Sequence, residues 1–168
     1  MEVNKIYFDM DGVLADFDRG VRELGGYEPR FPQDTNPEEE AIMWARVKEI
    51  PHFYDRLELM PGAKEMFDAV YGKYAEKCEI LTGVPKAKRG IIGAAEDKIN
   101  WMRRMLSEDI AINTVSKADK KFFCKGEGYI LIDDLEPTIK TWNECGGTGI
   151  LHKSSDETVQ TLKELGIL

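Results

Sequence analysis

The chain has 168 residues, 23 of them basic and 31 acidic, for a formal net charge of −8. Its 42% apolar and 10% aromatic content belongs to one folded domain and excludes collagenous, low-complexity and disordered classes, while the acidic balance argues against a nucleic acid polymer as partner. No apolar run approaches the ~18–20 residues that span a bilayer, and Met1 to Phe8 is too short and too charged for a signal peptide, so no membrane association is expected.

Lys5 to Phe8 (KIYF) is a short apolar run that stops at Asp9-Met10-Asp11-Gly12, the pattern of a buried strand ending in acids and glycine. Residues 16–60 hold no convincing strand. Ala15 to Leu24 predicts a helix closed by Gly25-Gly26, and Arg30 to Asn36 predicts a loop. Asn36 then caps a helix with Pro37 in first position and Glu38, Glu39 and Glu40 in its first turn, where acids suit the helix dipole. Ile42, Met43, Val47 and Ile50 give that helix an apolar side. A small helical insert placed as a lid therefore follows the first acidic strand end.

Beyond Pro61, the apolar residues Met66, Phe67, Val70, Tyr71 and Tyr74 recur at helical spacing. Cys78 to Leu81 (CEIL) predicts a second strand ending at Thr82-Gly83, and Ile99, Met102, Met105 and Leu106 mark another helical stripe. Asp109 to Thr114 is a weaker third strand, and Tyr129 to Ile132 (YILI) a fourth that ends at Asp133-Asp134. Ile139 and Trp142 lead to a helix stop at Gly146-Gly147, Gly149 to Leu151 is a fifth strand, and Val159, Leu162 and Leu165 form the last helix. This alternation predicts an α/β, Rossmann-like three-layer sandwich with a central parallel sheet and a small helical cap inserted after the first strand. The expected core is 1–15 and 61–168, and the cap 16–60. Ligands of such sheets bind beyond the carboxyl ends of the strands, and here three of those ends carry Asp, Thr or paired Asp.

The remaining candidates for chemistry are weak. Cys78, Cys124 and Cys145 are odd in number and lack a C-x-x-C pair, so they read as small buried thiols in a reducing cytosol rather than a zinc site or a disulfide framework. His52 and His152 have no metal-spaced partner and read as structural or exposed.

In Asp9-Met10-Asp11-Gly12-Val13-Leu14-Ala15-Asp16-Phe17, two carboxylates at i and i+2 leave the strand on the same side. One can attack phosphorus as a nucleophile while the other serves as acid and base; an ordinary Asp-Gly turn has the same local pattern. Asp133-Asp134 needs a cation to offset its repulsion, which hard oxygen ligands and Mg²⁺ would satisfy, though the pair also fits a helix start before Pro137. Thr82 can hydrogen-bond a phosphoryl oxygen, and Gly83 permits close backbone approach. Lys117, Lys120, Lys121 and Lys125 fall in a polar run most simply read as a solvated face, from which one lysine could turn inward to neutralise nucleophile and phosphate.

DMDGVLADF, ILTG, a lysine-bearing segment and LIDD, in this order, resemble the haloacid dehalogenase-like phosphatase superfamily. Within it, PHFYDRLELMPGAKEMF and the GG-x-GI ending are similar to the 5′(3′)-deoxyribonucleotidase branch, and the resemblance covers nearly the whole chain. It implies Asp9 as nucleophile and metal ligand, and Asp11 as general acid and base with its carbonyl on the metal. Thr82 and Gly83 would hold the phosphoryl oxygens, although Gly83 stands where many members of the branch carry Ser. Asp134 would bind Mg²⁺ directly and Asp133 would support it or share the metal. Lys121, twelve residues before Asp133, fits the motif lysine best, with Lys120 and Lys117 left open. Phe17 matches an aromatic that stacks on a base, and Trp44, Phe53 and Tyr54 could extend that platform. Lys86, Lys88 and Arg89 read as a solvated loop.

The resemblance implies a cytoplasmic, Mg²⁺-dependent phosphomonoesterase working through an aspartyl-phosphate on a small phosphorylated metabolite, a nucleoside or deoxynucleoside monophosphate being favoured. A phosphatase of sugar phosphates and a non-catalytic nucleotide- or phosphate-binding module on the same fold are the alternatives. A signalling receiver domain places its acid pair, phosphoacceptor and lysine in a different order and has no helical insert after its first strand.

Overall fold

KIYF forms β1 (Lys5–Phe8), whose last three residues are buried, as a strand covered on both faces requires. The computed structural model describes residues 1–29 and 36–168. The loop expected over 30–36 therefore lies, apart from Asn36, outside the described residues. β2 (Cys78–Gly83), β3 (Ala111–Val115), β4 (Tyr129–Asp133) and β5 (Thr148–Leu151) join β1 in one parallel sheet ordered β3-β2-β1-β4-β5. The expected α/β fold with a central parallel sheet is the observed one.

Two strand boundaries move, each for a local reason. β2 runs past CEIL because Thr82 and Gly83 stay in register with Thr114 and Val115 of β3. β3 begins later than expected because the Asp109 and Ile110 amides donate to Ser107 Oγ, at 3.2 and 3.1 Å, and make a turn of that segment.

The described residues form six α-helices: α1 (Phe17–Glu23), α2 (Pro37–Lys48), α3 (Ala63–Tyr74), α4 (Ala94–Met105), α5 (Glu136–Glu144) and α6 (Ser155–Glu164). Alternating side chains separate the two faces of the sheet. Ile6, Phe8, Ile80, Ile130 and Ile132 pack with Met66, Phe67 and Val70 of α3, Trp101 and Met102 of α4 and Leu162 of α6. Tyr7, Leu81 and Leu131 point the other way, toward Trp142 of α5 and Cys124. The result is three layers.

Between β1 and α3 the outgoing and returning chain pair with each other at a stem, where Asp16 N donates to Glu58 O and Met60 N to Leu14 O, both at 2.8 Å. This pairing holds Ala15 outside the helix expected from it. Asp16 caps α1 instead, accepting from Arg19 N at 3.2 Å. Asn36 caps α2 as its sequence requires, accepting from Glu39 N at 2.8 Å. A 3₁₀ turn, Phe53–Arg56, carries the return, and Trp101 Nε1 of α4 fastens it by donating to Leu57 O at 2.8 Å.

Cys124 and Cys145 form a disulfide across 21 residues, with Cα atoms 6.4 Å apart, and only Cys78 stands as the expected buried free thiol. Their spacing carries no bridge signal because the pairing is made by the fold: Cys124 ends a 3₁₀ segment (Lys117–Phe123) that lies against α5, and Cys145 ends α5 itself. Among the described residues, no helix is long and apolar enough to cross a membrane.

Candidate active site

Central β1 and its two neighbours, β2 and β4, each end in polar residues, and these ends meet. Asp9 follows β1 directly, held by its amide donating to Ile132 O at 2.9 Å, and is 6% exposed. Asp133, fully buried, closes β4 and turns its carboxylate back to accept from Leu135 N at 3.0 Å. Asp133 thus shapes the entry to α5, as the helix-start reading expects, while staying within the cluster of acids. Oxygens of Asp9, Asp133 and Asp134 all lie within 4.8 Å of one another.

Gly12 makes room for this convergence. Its φ of +82° is a left-handed conformation that favours glycine, and a Cβ there would overlap the Asp134 carboxylate.

The inward-facing lysine is Lys120, not Lys121. Lys120 is 3% exposed and its Nζ donates to Asp9 Oδ1 at 2.9 Å and Asp133 Oδ2 at 2.8 Å. The residues that carry it form a 3₁₀ helix, in which neighbouring side chains diverge by about a third of a turn. Lys121 consequently faces solvent, its ammonium 5.3 Å from the ring centre of exposed Phe122, and Lys117 is exposed as well. Burial opposes charge on Lys120, but the Asp9 and Asp133 carboxylates outweigh it and raise its pKa.

A second lysine completes the site, and the sequence pattern gave no hint of it. Lys98 of α4 is fully buried, and its Nζ donates to Asp11 Oδ2 at 2.8 Å, Thr82 Oγ1 at 2.9 Å and Gly83 O at 2.7 Å. The expected stripe on this helix was Ile99, Met102, Met105 and Leu106. The buried face is Ala94, Asp97, Lys98, Trp101 and Met102, rotated by about one position. A lysine and an aspartate at the centre of a helix's buried face are the signal that would have exposed it, because charges are almost never buried without partners.

The acids share too little positive charge. Desolvation, followed by the charges of Asp9, Asp133 and Asp11, pushes Asp134 up to about 9. Desolvation and Asp9 raise Asp133 to about 6 against the pull of Lys120. Asp11 is likewise raised, by burial first and by Asp9, with Lys98 opposing. Three convergent carboxylates with one ammonium among them fit a divalent cation bound through hard oxygen ligands.

The aromatic residues gather over this end of the sheet. Half-buried Phe17 lies 5.9 Å from Trp44, 5.6 Å from Phe53 and 6.2 Å from Tyr54, measured between ring centres. Phe53 and Tyr54 are buried at 2% and 1% exposure, and the Tyr54 ring sits 4.5 Å from Lys98 Nζ. Phe53 is therefore a support behind Phe17 rather than an open stacking face, because it is packed into the core beside Gly20 and Leu57. Of the basic loop, Arg89 Nη2 lies 3.5 Å from Glu40 Oε2 of α2, while Lys86 and Lys88 are exposed.

The architecture is that of haloacid dehalogenase-like hydrolases. A Streptococcus pneumoniae hydrolase of that family superposes with a TM-score of 0.55 at 16% identity, over 88% of this chain and 83% of that one. A Deinococcus radiodurans family member, solved with bound phosphate and sodium, superposes with the same score at 14% identity over 99% and 97%. The particular family is narrower. Residues 2–161 match the family model described as 5′ nucleotidase, deoxy (pyrimidine), cytosolic type C protein, and the chain belongs to that family. The human cytosolic-type 5′(3′)-deoxyribonucleotidase is 27% identical over 150 residues, covering 79% of this chain and 71% of the relative. By class the protein is a phosphomonoesterase.

Proposed function

We propose that the protein hydrolyses nucleoside or deoxynucleoside monophosphates through an aspartyl-phosphate on Asp9, in the cytoplasm and with Mg²⁺. The observation that carries this reading is the joining of two ion-paired units at adjacent strand ends, Lys120 with Asp9 and Asp133, and Lys98 with Asp11 and Thr82. The cytoplasmic placement follows the human relative, which is of the cytosolic type.

Lys120 engages Asp9 Oδ1, which leaves the other carboxylate oxygen to attack phosphorus in line. As the bond to the sugar oxygen breaks, Asp11 delivers its proton to that oxygen. Asp11, now ionised, takes a proton from a water that attacks the phosphoryl group, breaking the bond to Asp9 and releasing phosphate. Thr82 and the Gly83 backbone orient the phosphoryl oxygens. Asp9, Asp134 and the Asp11 carbonyl, supported by Asp133, would hold Mg²⁺, which when bound neutralises the charge shared by the carboxylates and the phosphoryl group.

Residues 16–60 act as the cap on this reading, joined to the core by the stem at Leu14–Asp16 and Glu58–Met60. Phe17 and Trp44 offer the base a stacking surface, with Phe53 and Tyr54 behind, and such stacking contributes roughly 1–3 kcal/mol. Asp9→Asn should reduce hydrolysis of a deoxynucleoside 5′-monophosphate by at least about 10³-fold while the fold is kept. Chelation of divalent metal should silence the wild-type enzyme. Appreciable turnover by Asp9→Asn would remove the nucleophile, and turnover in chelator would remove the metal.

A further inference from the structure

Lys98 has no donor left for a substrate. An ammonium offers three N–H donors and no lone pair. All three are committed, to Asp11 Oδ2, Thr82 Oγ1 and Gly83 O at 2.7–2.9 Å, within a site where the lysine is fully buried. The Tyr54 ring, 4.5 Å from Nζ, closes one side of the ammonium. Such a group is poorly placed to bind phosphate and well placed to fix its neighbours.

Both neighbours gain a defined role. Thr82 Oγ1 must accept from Lys98, so its own O–H is left to donate elsewhere, toward a phosphoryl oxygen. Asp11 is pinned through Oδ2, while its Oδ1 is buried and has no hydrogen-bond partner among the described residues. That oxygen is the one left without a hydrogen bond inside the protein, and so the one left to bond a substrate that enters the site.

We infer that Lys98 is a positioning residue that aims Asp11 Oδ1 at the leaving oxygen, rather than a cation that binds the phosphoryl group. The inference rests on the proposed acid role of Asp11. No bond changes at Lys98 itself: the proton passes from Asp11 to the departing oxygen.

The leaving group separates the possibilities. A nucleoside leaves as a strongly basic alkoxide unless it is protonated, whereas p-nitrophenolate is weakly basic and leaves without an acid. kcat/KM reports steps through departure of that group. In Lys98→Met, kcat/KM for a deoxynucleoside 5′-monophosphate should fall by roughly 10²–10³-fold, the range of a misplaced general acid. For p-nitrophenyl phosphate it should fall by less than about tenfold, and competitive inhibition by inorganic phosphate should weaken by less than about threefold.

Lys98→Arg keeps the charge, but its planar fork cannot serve the same three acceptors, so it should show the same selective loss. Circular dichroism melts establish that each variant folds. Equal losses on both substrates, or phosphate inhibition weakening in step with activity, would overturn the inference, as would loss of the fold in both variants. A wild-type enzyme that hydrolyses neither ester would instead defeat the Asp9–Asp11 reading, and this inference with it.

Discussion

At the scale of single residues, Gly12 and Asp134 illustrate how tightly backbone and charge are joined here. Gly12 turns the chain away from β1 with φ +82°, and its missing side chain is the space Asp134 occupies. Gly12→Ala adds a methyl group that would displace that carboxylate, and it holds alanine in a left-handed conformation costing roughly 1–2 kcal/mol. The expected outcome is a folded protein of lowered melting temperature whose activity needs far more divalent metal, by about tenfold or more. Metal titration of activity checks this, and an unchanged half-saturation would separate Gly12 from the metal. The acids and Thr82 were legible because each ends an apolar strand. Lys120 and Lys121 were not distinguishable, since a spacing counted along the chain does not give the rotation of a 3₁₀ helix. Lys98 was hidden further: within AAEDKINWMRRM its partners come from the segment just after β1 and from β2, away from it in sequence.

At the scale of elements, the alternation of strands and helices was readable from apolar runs and caps, whereas boundaries were set by partners. β2 reaches Gly83 because β3 pairs with it there, and α1 waits for Phe17 because the stem claims Ala15. The bridge between Cys124 and Cys145 belongs to the same class of unreadable fact, as it joins the end of the Lys120-bearing segment to the end of α5. Closing that 21-residue separation restricts the unfolded chain by about 3 kcal/mol. A reductant should lower the melting temperature of the purified oxidised protein by roughly 6–12 °C. Cys145→Ser should melt at the reduced value and ignore the reductant. Identical melts with and without reductant would show that the bridge adds nothing to stability.

At the scale of the whole molecule, a net charge of −8 gives no view of a site built from local ion pairs, and the sheet order explains why those pairs form. β1 is central, the chain crosses to β2 and β3 on one side and returns to β4 and β5 on the other, so the switch point falls at Asp9. His152, just beyond β5, is tied to this centre: its amide donates to Asp133 O at 2.8 Å and its ring Nδ1 shares a hydrogen bond of 2.7 Å with Thr158 Oγ1. Burial lowers its pKa to about 4 from 6.5, with Asp9 opposing. Between those values the unfolded chain takes up a proton that the folded chain refuses, so the contribution of His152 to stability is complete above about pH 6.5 and is lost as pH falls toward 4. Asp133 and Asp134, whose folded pKa values are raised, act in the opposite sense and stabilise as pH falls. Comparing wild type with His152→Asn cancels those acids, and Asn can keep the bond to Thr158. The advantage of wild type in urea midpoint at pH 7.5 should therefore shrink by pH 5. An advantage that stays the same at both pH values would mean that His152 titrates in the folded protein as it does in the unfolded chain.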